Sequence, residues 1–124
     1  LSKTYDLRKL IKTQLDTVEG ATYHRRASAD EDFPYKVYTL ESVECPDSSR
    51  DLYDLCVDIW GDSSDAQDLD DLGDEIEALF NSVNLPQTNI LPTFFRSSRY
   101  YVEDPDKDLL HLQLHFDVQL YERS

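Results

Sequence analysis

The chain predicts an α+β fold: a single domain over 1–124, with two helices packed on an antiparallel sheet of about four to five strands, in the order α-β-β-β-α-β-β. Three observations carry that expectation. Two segments repeat apolar residues every three to four positions, as amphipathic helices do. Others alternate apolar and polar residues, as half-buried strands do. The 124 residues are 40% hydrophobic and 11% aromatic, enough for one core and too few for two.

The first helix is expected over 4–19. Leu7, Leu10, Ile11, Leu15 and Val18 form its stripe, Arg8, Lys9 and Lys12 lie away from it, and Gly20 ends it. A short strand follows over 22–26, then an acidic flexible loop over 27–32. The next strand, 33–44, starts with Pro34 where a missing N–H is tolerated. Pro46-Asp47-Ser48-Ser49 turns it into the strand 50–60. There Tyr53, Leu55, Val57 and Ile59 point one way, with Asp54, Cys56 and Asp58 opposite. Ser64 and Gln67 have capping-box spacing, so a second helix starts at Asp65. Its stripe is Ala66, Leu69, Leu72, Gly73, Ile76, Leu79, Phe80 and Val83.

Residues 84–93 contain Pro86 and Pro92 and are expected to be an extended, flexible connection. A final hairpin joins 94–103 to 109–122 around Asp104-Pro105-Asp106-Lys107-Asp108. Its last strand alternates strictly, with Leu110, Leu112, Leu114, Phe116, Val118 and Leu120 against His111, Gln113, His115, Asp117 and Gln119.

Charge is segregated along the chain. No lysine or arginine lies between Arg50 and Arg96, where Asp51, Asp54, Asp58, Asp62, Asp65, Asp68, Asp70, Asp71, Asp74, Glu75 and Glu77 all fall. Like charges three or four apart on a helix each cost about 0.2–0.5 kcal/mol. A chain that keeps a negative surface and a positive patch is expected to use both on a partner or on another copy of itself. The net charge of −14 argues against a dedicated binder of nucleic acid or membranes. It suits a protein that DNA passes without sticking. The apolar runs are too short to span a bilayer, and no signal-peptide pattern opens the chain. There is no methionine, and Leu1 is not a residue that simple Met removal exposes, so the start is read as a trimmed or partial terminus.

Catalytic and metal chemistry find little purchase. An EF-hand loop started at Asp68 places Asp70 and Gly73 correctly, but Leu72 and Leu79 stand where oxygen ligands are required. His111, His115 and Asp117 share one strand face without a further ligand, and read as wet-face residues or a subunit contact. Cys45 beside its turn and Cys56 well along the next strand do not face each other, so both read as free thiols of a reducing cytoplasm. No nucleophile elbow, activated cysteine or glycine-rich phosphate loop is present. The expectation is a non-enzyme with no cofactor or metal. Trp60, Phe94 and Phe95 are candidate aromatic anchors of an oligomer contact.

The runs Phe33-Pro34-Tyr35-Lys36-Val37-Tyr38 and Leu55-Cys56-Val57-Asp58-Ile59-Trp60 come before a helix opening with Asp65-Ala66 and carrying Leu69, Leu72 and Ile76. Together with the Asp104-Pro105-Asp106 turn and the His-containing last strand, this order resembles the tail-completion proteins of long-tailed phages, also called tail-terminator or tail-to-head joining proteins. The resemblance runs from about residue 7 to 121 and rests on the order and spacing of short motifs. It implies a structural virion protein, assembled in the host cytoplasm, that caps the tail tube as a hexameric ring. Its partners would be itself, the tail tube protein and a head-completion or connector protein, with DNA passing through and no membrane involved. The family supplies no catalytic residues to carry over. Charge alone nominates the contact residues: Arg8 and Lys12 on the first helix, and Asp68, Asp71 and Glu75 on the second. Two rivals remain. One is an acidic type III-like secretion chaperone, a homodimer that binds an unfolded effector segment. The other is a DNA-mimic inhibitor, which the basic clusters interrupt.

Overall fold

A computed structural model describes residues 3–25, 32–43, 50–106 and 108–122, apart from the side chains of Asp65 and Glu122. The elements are α1 (Lys3–Leu15), β1 (Ala21–His24), β2 (Tyr35–Val43), β3 (Asp51–Asp62), α2 (Ala66–Phe80), β4 (Val83–Asn84), β5 (Ile90–Val102) and β6 (Leu109–Glu122). They form one six-stranded sheet in the order β1-β2-β3-β6-β5-β4. The α+β arrangement is as expected, with more strands. The sheet is also mixed, because β1 runs parallel to β2, with Ala21 opposite Tyr35 and His24 opposite Tyr38.

The centre of the sheet is β3 against β6, paired from Asp51 opposite Leu120 to Asp62 opposite Leu109. Alternation along both strands sends Leu55, Val57, Ile59, Leu112, Leu114, Phe116 and Val118 to one face, where all are essentially inaccessible. The stripes of α1 (Leu7, Ile11, Leu15) and α2 (Leu69, Leu72, Ile76, Phe80) close over that face to make one core. Ala66, expected in the α2 stripe, is exposed in the first turn of the helix.

Two stretches depart from expectation for identifiable reasons. Helix α1 stops at Leu15, and tighter bonds from Thr17 N to Gln14 O and Val18 N to Leu15 O finish the turn. The chain then leaves through Gly20 at φ +92°, where a Cβ would lie 2.6 Å from the Pro34 carbonyl oxygen, so only glycine fits. Half of the expected connection 84–93 is strand. β4 pairs with β5 at Val83–Phe94 and Asn84–Thr93, and Ile90 to Thr93 already pair with β6. Pro92 is tolerated there because it lacks only a donor, and its carbonyl accepts from Leu85 N at 3.1 Å. The acidic loop, except Asp32, and the turn holding Cys45 lie outside the described residues.

Lys36 is the one charged side chain in the described interior. It sits on the helix-covered face of β2 and donates to the carbonyls of Val18 at 3.3 Å, Glu19 at 2.8 Å and Gly20. The ammonium thus gives the carbonyls of the connection between α1 and β1 a donor. Burial pushes its pKa down to about 8 against the opposing pull of Asp16 and Glu19.

Candidate functional site

The acidic helix is partly neutralised within its own chain. Residues three apart on a regular strand face opposite ways, yet Arg96 and Arg99 both point at α2. A bulge in β5 between Arg96 and Ser98 resets the alternation. Arg99 donates to Asp74 at 2.7 Å, to Glu77 at 3.2 Å and to the Asp70 carbonyl at 3.0 Å, while Arg96 donates to Glu77 at 3.2 Å. Burial alone would lower the Arg99 guanidinium, but its bonds to Asp74 and Glu77 hold it above its ordinary value. Tyr101 donates to Asp70 at 2.7 Å, and burial with that carboxylate pushes the phenol up to about 12. Asp68, Asp71 and Glu75 are exposed and form no ion pair with any described residue.

Basic residues gather on α1, facing the β1 side of the sheet. Arg8, Lys9, Lys12, Tyr5 and Tyr38 line a shallow groove of about 240 Å³. Arg8 and Lys9 hold their charges 5.8 and 5.3 Å from the Tyr5 ring centre, within cation–π range. Arg8 also donates to His24 Nδ1 at 3.4 Å, while its buried Nε has no partner. Burial, then Arg8 and Arg25, lower the His24 imidazole. Lys12 is less free than its sequence position suggests, because it pairs with Asp16 at 2.7 Å. The basic groove and the outward acids of α2 do not meet in the chain.

The sheet face opposite the helices carries the third surface. Cross-strand register stacks Phe33, Tyr35, Trp60 and His111 in a row, at centroid separations of 5.8, 5.4 and 4.1 Å. Below it, His111 Nε2 donates to Asp58 at 2.6 Å and Gln113 Nε2 donates to the same oxygen at 2.8 Å. His115 Nδ1 lies 3.2 Å from an Asp54 carboxylate oxygen, and its Nε2 lies 2.9 Å from Gln113 Oε1. Tyr100 also donates to Gln113. Desolvation would raise Asp58, but the bonds from His111 and Gln113 win and lower it. Cys56 lies 3.8 Å from His115, yet burial first and Asp58 second push its thiol up to about 12. That thiol stays protonated and is not an activated nucleophile. His111, His115 and Asp117 share a face as expected, but each imidazole is held by its own carboxylate. Among the described residues no group of three or more His, Cys, Asp or Glu converges on a metal position.

The nominated aromatic residues part company. Trp60 is half-buried in the stack, and Phe95 is 38% exposed opposite Asp117. Phe94 is a correction: it is fully buried against Phe80, which also packs on Phe116, so it belongs to the core and offers no docking surface. Alternation at adjacent positions separates the two phenylalanines. Sequence reasoning missed Lys36, the Arg96 and Arg99 clamp and the aromatic row. An inward lysine on a strand was visible at Lys36, whereas the other two required register.

No protein-family model matches the chain, and no curated protein matches it. Among solved structures, the fold is similar to a chain described as "Virion of native gene transfer agent (GTA) particle". The TM-score is 0.68 at 10% identity, over 92% of this chain and 85% of that one. At that identity the likeness is one of fold.

Proposed function

We propose that this chain is a structural virion protein that ends the phage tail tube and joins the tail to the DNA-filled head, as one subunit of a ring. The observation that carries this reading is the likeness of fold to a chain of a gene transfer agent virion along nearly the whole domain. The resemblance to tail-completion proteins narrows it to the tail end and to a hexamer. The chain acts by shape and charge, without catalysis or a cofactor.

Charge supplies the means of closing the ring. In a cyclic assembly one patch meets a different patch on the next copy. The groove of α1 around Arg8 and Lys12 is opposite in sign to Asp68, Asp71 and Glu75, with which no described residue of the chain forms an ion pair. The excess of carboxylates keeps a polyanion from adhering as it moves through. Tail tube and head-completion proteins would take the two ends of the ring.

Electron microscopy of tails assembled with and without the protein tests the function. The expected result is overlong or head-incompetent tails in its absence, and tails of normal length that join heads in the same manner would refute it. Arg8→Glu with Lys12→Glu tests the contact. Ring formation should fail, and Asp71→Lys with Glu75→Lys should restore it.

A further inference from the structure

We propose that the sheet face opposite the helices is a docking surface for a protein partner that presents arginine side chains. This surface is separate from the helix layer that closes the ring, so the proposal stands whether or not the ring forms. Among the described residues neither helix lies on it. Of the six large apolar side chains exposed among the described residues, Phe33, Val43, Phe95 and Tyr100 belong to this face. Exposed aromatic residues clustered on one side mark interaction surfaces more often than solvated ones.

Charge specifies the occupant. Glu41 stands directly opposite Asp54, and Asp54 directly opposite Asp117, so three adjacent strands place three carboxylates in one row. Like charges facing each other across strands are destabilising. His115 answers Asp54, but no described cation pairs with Glu41 or Asp117. Phe95 extends the row on β5, and the Phe33-Tyr35-Trp60-His111 stack crosses the same strands nearer the other end. The exposed Phe95 ring beside the row that ends in Asp117 suits a guanidinium, which stacks on rings and forks onto carboxylates. A lysine ammonium exploits only the charge. Nucleic acid and anionic lipid would be repelled.

Trp60 is the chain's single tryptophan and reports on this face directly. The probes are short peptides of alternating arginine and valine, and the lysine and glutamate counterparts, titrated while Trp60 emission is followed. The arginine peptide should give a saturable change, the lysine peptide should bind about fivefold more weakly, and the glutamate peptide should not bind. Asp54→Asn with Asp117→Asn should weaken the arginine peptide by about tenfold. Glu41→Gln, at an exposed position, should weaken it in the same direction, and the urea midpoint of each variant checks its fold. Arg8→Glu with Lys12→Glu should leave peptide binding unchanged while breaking the ring, which separates the two ideas. The proposal is overturned by equal binding of arginine and lysine peptides, or by binding indifferent to Asp54 and Asp117. It is overturned too if Trp60 emission changes with protein concentration alone, which would make a second copy the occupant.

Discussion

Removing the Arg99 guanidinium should cost the fold about 2–3 kcal/mol, because three acceptors lose their donor at once. The Glu77 bond dominates, since both side chains are mostly shielded, at 20% and 18% exposure. A charge-assisted bond in such a setting is worth about 1.5–3 kcal/mol. Asp74 is 72% exposed, so solvent screens its pair with Arg99 and it adds well under about 1 kcal/mol. Without Arg99, Asp70, Asp74 and Glu77 also repel one another at helical spacing, by about 0.2–0.5 kcal/mol per pair. Urea unfolding of wild type, Arg99→Ala, Glu77→Gln and the double variant gives the coupling as a cycle. The expected coupling is about 1 kcal/mol at low ionic strength and less in concentrated salt. Arg99→Lys should recover the charge but not the fork, and so only part of the loss. A cost below about 0.5 kcal/mol, or strictly additive single variants, would refute the clamp.

Three further outcomes follow from the geometry. Lys36 is depressed to about 8 in the fold, so the unfolded chain binds more protons above that pH and stability should rise from pH 8 toward 9.5. Lys36→Met should flatten that rise, by roughly 2 kcal/mol over the window; the upper limit avoids Tyr38 and Tyr101, whose raised phenols lose stability above pH 10. The lowered Asp58 carboxyl contributes stability above its unfolded pKa of about 3.9 that is lost as pH falls through its folded value. Asp58→Asn should therefore lower the urea midpoint at pH 7, by about 1–2 kcal/mol, and weaken the acid dependence between pH 5 and 3. Phe94→Ala should cost about 3–5 kcal/mol in thermal or urea unfolding, whereas Phe95→Ala should cost about 1 or less. Similar losses at both would contradict the assigned faces.

What the sequence made legible was whatever is encoded in neighbouring residues. The last strand was bounded at Leu109 and Glu122, as observed, because its alternation is unbroken from end to end. Helix α2 and the buried side of β3 were equally plain, since each has one dominant period. Pro92 misled at 84–93, because a proline vetoes only the donor side of a strand and β5 uses its carbonyl side there. The parallel pairing of β1 with β2 and the row from Phe33 to His111 arise from tertiary register, which no local pattern records. The opposite-charge surfaces were legible in outline. Their internal accounting was not, because Arg96 and Arg99 reach α2 from a strand far along the chain. Lys36 was passed over because a lone lysine in a strand ordinarily points to water.

The bulge near Ser97 has a consequence for how this domain tolerates change. Ser97 is the unpaired residue of the bulge, so its loss would leave Arg96 opposite Phe116 and Arg99 opposite Leu114, with both guanidinium groups still on the α2 side. The acids of α2 would keep their anchor and the aromatic face would gain no cation. Elsewhere in β5 every residue is paired, so a single-residue deletion there turns the side chains beyond it to the other face and should be far more damaging than loss of Ser97 itself.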